Sequence, residues 1–142
     1  MTGMSYFRRD KMGVLQTVIT VDQAITRISD GENFWVSFGD FLDDFYRQNA
    51  FNRQQMIMQE PVNGANADRV SKALFAATVH KLANDYRLEV PAWVWKQEYY
   101  MKDEPFFDCN AKGNLRLLFM YKSPIEFKHR NLFVDENILV RV

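Results

Sequence analysis

Residues 67–86, ADRVSKALFAATVHKLANDY, decide the fold. Val70, Ala73, Leu74 and Ala77 recur at helical spacing and make one apolar stripe, and Phe75, Val79, Leu82 and Tyr86 make a second. Two stripes on a 3.6-residue period leave little of the circumference polar. The pattern predicts a helix covered on more than one side, at the centre of a mainly α-helical fold.

Upstream, 61–66 (PVNGAN) reads as a loop, and Pro61 forces the helix before it to stop, because the residue preceding a proline is pushed out of the helical region. That helix is short and is expected to be capped by Asn52 with Gln55. A longer helix over 32–48 turns Phe34, Phe38, Phe41, Leu42 and Phe45 inward and Asp40, Asp43, Asp44 and Arg47 outward, with Gly39 marking a close approach. Before it, Thr20 and Gln23 form a capping-box pattern, Val21, Ala24, Ile25 and Ile28 form a stripe, and Gly31 ends the helix. Residues 1–13 lack periodicity and are expected to be a flexible arm or a first short element.

Downstream, 91–100 (PAWVWKQEYY) is aromatic and irregular, and 105–113 is loop-like. Residues 115–121 (LRLLFMY) fit either a strand, by alternation, or a buried helix, by continuous apolarity. Ser123, Pro124 and Glu126 suit the N-cap, N1 and N3 positions of a short helix ending near Arg130, and Asp135 is placed to cap a last segment. The expectation is a single compact helical domain over 1–142 with a central buried helix and one or two short strands near the C-terminus.

The chain of 142 residues has 47% hydrophobic and 15% aromatic residues, enough for a core without disulfide or metal. One cysteine, Cys109, excludes an internal disulfide and any zinc site built on two thiolates, and suits a cytoplasmic location. No apolar run reaches membrane-spanning length. Arg8, Arg9 and Lys11 precede an apolar run broken by Gln16, Thr17 and Thr20, a poor export signal.

Eighteen basic residues balance eighteen acidic ones, but unevenly along the chain. Residues 20–46 hold six acids against one base, and 112–142 hold six bases against three acids. These segments are either separate solvated faces or two partner-facing patches of opposite sign.

Familiar catalytic arrangements are missing from the sequence. The six glycines stand singly, so no phosphate loop forms, and no Gly-x-Ser-x-Gly elbow is present. His80 and His129 are 49 positions apart, and no metal or cofactor is expected. Asp40, Asp43 and Asp44 share a helical face with Arg47, which favours local ion pairs over a metal site. Cys109 lies between Asp108 and Asn110, a setting that opposes a reactive thiolate. His80 reads as a structural or surface histidine. The candidate binding residues are the cluster Lys128, His129, Arg130 and Asn131, with Trp93 and Trp95 in the aromatic segment. The cation cluster equally complements a helix C-terminus, and the aromatics equally pin a loop to the core.

Several phrases resemble a family of small uncharacterised bacterial proteins: FLDDFYR at 41–47, QEP at 59–61, EVPAW at 89–93 and above all SPxEFKxRNLFV at 123–134. The resemblance spans about residue 20 to the end. Members of that family are sometimes fused to a helix-turn-helix and encoded beside nucleotidyltransferase-like proteins, as in toxin–antitoxin modules. It implies a non-catalytic, antitoxin-like or regulatory partner of another protein. Residues 1–50 depart from the fused members, since the second helix is acidic outside and would repel phosphate. The alternative is a nucleic-acid-binding regulator using Lys112, Arg116, Lys122, Lys128 and Arg130.

Overall fold

The computed structural model describes residues 6–9, 15–62 and 64–142. The protein is mainly α-helical, and its chain divides into two compact units, residues 1–67 and residues 68–142.

The first unit opens with an antiparallel pair, β1 (Tyr6–Arg9) and β2 (Leu15–Val18), in which Tyr6 lies opposite Val18 and Arg9 opposite Leu15. Of the arm expected over 1–13, residues 1–5 and 10–13 lie outside the described residues, and 6–9 are this strand. Three helices follow. In α1 (Val21–Ser29) Thr20 and Gln23 make the reciprocal capping box that their spacing predicts, and Gly31 after it takes φ +107°, a conformation L side chains rarely adopt. In α2 (Phe34–Arg47) the Asn33 side chain accepts from the first-turn amides, and Phe38, Phe41, Leu42 and Phe45 are buried. The N-cap of α3 (Ala50–Met58) is Asn49, three residues before the position the sequence suggests, with its side chain accepting from Asn52 N–H at 2.8 Å. Two details depart from the simple inside-outside pattern. Asp44, expected on the outer face, is buried: one oxygen accepts from Ile19 N–H at 3.0 Å while the other holds Arg47. Gly64 lies so close to Ile25 that a Cβ there would collide with the isoleucine side chain.

The second unit is built on α4 (Arg69–Asp85), the helix that the opening stretch predicts. Asp68 caps it by accepting from Ser71 N–H at 2.9 Å, and ten of its residues are buried. It ends with Arg87 at φ +57° and Leu88 N–H bonded back to Ala83 O at 2.8 Å, a Schellman-type closure in which arginine occupies the position glycine usually takes. Two 3₁₀ turns, Ala92–Trp95 and Gln97–Tyr99, and a short helix, α6 (Ile125–Lys128), pack on α4. Arg69 ties the second turn down through the carbonyls of Gln97 and Tyr100. The short strands expected near the C-terminus are β3 (Phe106–Phe107) and β4 (Leu132–Phe133), a parallel pair that stacks the Phe107 and Phe133 rings.

Between them runs α5 (Gly113–Lys122), which resolves the ambiguous stretch at 115–121 as helix. It is not the buried helix that continuous apolarity suggested. Phe119 is buried, whereas Leu115, Leu117, Leu118, Met120 and Tyr121 are all exposed. Pro124 stops α5, as the steric rule for the preceding residue requires. The Ser123 side chain makes no cap on α6. Its hydroxyl lies against the carbonyls of Phe119 and Val134 and accepts from Val134 N–H at 2.8 Å, stapling the end of α5 to the chain after β4. No helix forms after Asp135; the chain ends in turns. Among the described residues no helix is long and apolar enough to cross a membrane.

Candidate functional site

The cluster read at 128–131 comes apart in three dimensions. Arg130 is only 1% exposed, and its side chain points into the second unit, away from any surface patch. One terminal nitrogen lies 3.2 Å from His80 Nδ1 and donates to Glu126 O, and the other donates to Val94 O at 2.9 Å. The guanidinium carbon sits 4.8 Å from the Tyr100 ring centre and 5.5 Å from that of Trp95. Burial pulls the Arg130 pKa below the ordinary arginine value, with Tyr100 and Glu126 acting the other way. Such an arginine holds three separate segments together through carbonyls and ring faces, and it is the wrong group for an external anion.

His80, read as a structural or surface histidine, is part of this same cluster. A guanidinium can only donate, so Nδ1 of His80 accepts and its proton sits on Nε2. Burial, then the charge of Arg130, lowers the His80 pKa, while Glu126 opposes and His129 adds to the lowering. Glu126 is itself buried and accepts from the Asn84 side chain at 2.9 Å. Sequence reasoning found no neighbour for His80 because Arg130 lies fifty positions away and meets it only across α4 and α6.

The other candidates divide between core and surface. Trp93 is buried with its ring edge-on to Tyr99 at 4.9 Å. Trp95 is half-exposed and packs edge-on to His80 at 4.8 Å. Lys128 donates to Tyr121 O at 2.8 Å, joining α6 to the end of α5. His129 is exposed beside Tyr100, their ring centres 6.4 Å apart. Asn131 takes φ +63° and gives its carbonyl to Phe106 N–H, a turn residue at the head of β4. Arg130 therefore drops out of the basic set proposed for nucleic acid, leaving Lys112, Arg116, Lys122 and Lys128.

What the second unit offers to solvent is α5. Leu117 is 63% exposed and Tyr121 77%, and Leu118 lies on the same side, since positions i, i+1 and i+4 share a helical face. Ile125 is exposed just beyond. From residue 109 to 125 the chain has no acid and three bases, Lys112, Arg116 and Lys122. The apolar surface thus comes with positive charge alone from its own segment. The signal was in the sequence as an unbroken apolar run beside bases, but only the fold tells exposure from burial.

The acidic segment of the first unit is largely paired within itself. Arg27 bonds both Glu32 and Asp40, and Ser37 donates to Glu32. The Arg27 hydrogen bond holds the Glu32 carboxyl below its ordinary pKa, helped by that of Ser37. Cys109 is exposed, and the neighbouring Asp108 charge raises its thiol pKa. Among the described residues no group of His, Cys, Asp or Glu is placed to hold a metal ion. Comparison with protein-family models, curated proteins and solved structures finds no match.

Proposed function

We propose that this chain is a non-catalytic binding protein that docks on another protein through α5. The observation that carries this reading is the exposure of Leu117, Leu118 and Tyr121 on one face of a helix whose own segment bears only bases. Monomeric surfaces seldom spend large side chains in contiguous exposed patches without a use for them. A helix of this kind suits an apolar groove with an acidic rim, the helix-in-groove mode of recognition. The family resemblance of the 123–134 motif supports a more specific partner, a nucleotidyltransferase-like protein for which this chain acts as antitoxin-like or regulatory subunit.

Co-expression with the product of the adjacent gene, followed by co-purification and a growth assay, tests the reading. A complex is expected, with relief of toxicity. Tyr121→Ala or Leu118→Ala should weaken it by about tenfold or more, as hot-spot truncations do. No complex, or a complex indifferent to Leu117→Glu and Leu118→Glu, would overturn the proposal. Binding that instead follows duplex or single-stranded nucleic acid, with log affinity falling linearly in log salt, would favour the regulator reading on Lys112, Arg116, Lys122 and Lys128.

A further inference from the structure

On another flank of α5 lies a groove of about 440 Å³ lined by Phe106, Phe107, Asn110, Lys112 and Arg116, with no carboxylate in its wall. Arg116 and Leu118 are two residues apart, about 200° around the helix axis, so the groove and the apolar face are separate surfaces. Three features give the groove its chemistry. The Arg116 guanidinium lies over the Phe107 ring, 3.9 Å from its centre, and Phe107 in turn stacks on Phe133 with ring centres 5.0 Å apart. This stack holds a normally flexible side chain flat. Its Nε is 3.4 Å from Ala111 O, and among the described residues neither terminal nitrogen has a protein acceptor or an ion-pair partner. Lys112 stands beside it without an acidic partner among those residues.

A planar guanidinium braced on a ring with its fork open is arranged for two parallel hydrogen bonds to a carboxylate or phosphate. The second cation, Lys112, favours the more highly charged of the two. The start of α5 at Gly113, which no side chain caps, adds partial positive charge close to Lys112. Phe106 supplies an apolar wall, and the volume falls within the range of small-ligand sites.

We propose that the Phe107–Arg116 groove binds a small organic phosphate, its phosphate held by Arg116 and Lys112 and a flat ring laid against Phe106. The inference stands apart from the docking role of α5, and either can fail without the other.

The test is calorimetric titration of the full chain with adenosine 5′-monophosphate, with inorganic phosphate and adenosine as separate arms. Saturable binding of the nucleotide is expected, tighter than either part alone. Arg116→Gln should weaken it by about tenfold or more, and Arg116→Lys nearly as much, because an ammonium keeps the charge but not the fork. Lys112→Gln should cost several-fold. It leaves the aromatic stack untouched, which keeps the test decisive if an Arg116 variant folds poorly. Absence of saturable nucleotide binding up to about 5 mM, a range reaching affinities near −3 kcal/mol, would overturn the proposal. So would unchanged affinity in both Lys112→Gln and Arg116→Lys, adenosine binding as tightly as its phosphate, or inorganic phosphate binding as tightly as the nucleotide.

Discussion

The two apolar helices of the second unit, α4 and α5, have opposite fates. Both are apolar over most of their circumference, and neither shows a single clean stripe. Yet α4 buries ten residues, whereas α5 buries only Phe119. The difference lies in side-chain size and in neighbours. Four alanines on α4, at 73, 76, 77 and 83, let the backbones of the 3₁₀ turns and α6 come close. On α5 the bulky Leu117, Leu118 and Tyr121 stand out from the one edge that packs near β4. Continuous apolarity therefore identifies a helix that wants a cover, and it leaves open whether the same chain supplies it.

The largest expected effect breaks the comparison at its centre. Phe75→Ala on α4 should cost about 3–5 kcal/mol of stability, the loss typical of a fully buried aromatic, while Leu117→Ala and Leu118→Ala on α5 should stay within about 0.5 kcal/mol. Urea unfolding of the three variants measures this. A destabilisation of several kcal/mol at Leu118 would mean that α5 is covered within the chain.

A second, smaller effect concerns what surrounds α4. Arg130→Ala removes the donors to Val94 O and Glu126 O and the cation between two rings, and should cost about 2–3 kcal/mol, the scale of charged hydrogen bonds. Arg130→Lys should recover less than half of that, since one ammonium cannot reach acceptors on three segments. Full recovery by lysine would show that charge alone matters at this position.

The smallest effect is pH-dependent. The His80 pKa is lowered in the folded protein, by burial and then by Arg130, so the native state prefers neutral imidazole. On acidification through the ordinary histidine range near 6.5 the unfolded chain takes up a proton that the folded chain refuses. Stability from this group is therefore complete above about pH 6.5 and declines as pH falls. Replacing His80 by Gln keeps an acceptor for Arg130 without the titration. Thermal melts at pH 7.5 and 5 should show the wild type losing a few degrees more than His80→Gln, with Glu126 and His129 the other charges facing the site. Equal losses in the two proteins would remove His80 from the acid response.

Part of the candidate site was legible in the sequence and part was not. Lys128, His129, Arg130 and Asn131 are adjacent along the chain, and adjacency suggested a shared surface. One tight turn sends them in different directions: Asn131 at positive φ reverses the backbone, Arg130 turns inward and His129 faces out. Trp93 and Trp95 separate in the same way over two residues of 3₁₀ helix. The Arg116 groove needed Phe107 to meet Phe133 through a parallel pairing 26 positions apart, which no local pattern encodes.

The sequence by itself determined both ends of α1 and the course of α2 and α4. The capping box at Thr20 and Gln23, the stop at Gly31, the phenylalanine stripe of α2 and the long run of α4 all rest on interactions three or four residues apart, which the order of residues states directly. Only the tertiary structure decided that Arg130 is buried against His80, that Ser123 staples α5 to Val134 instead of capping α6, and that α5 lies open to solvent. Those outcomes depend on which distant segment fills the space beside a residue, and burial is a property of that space.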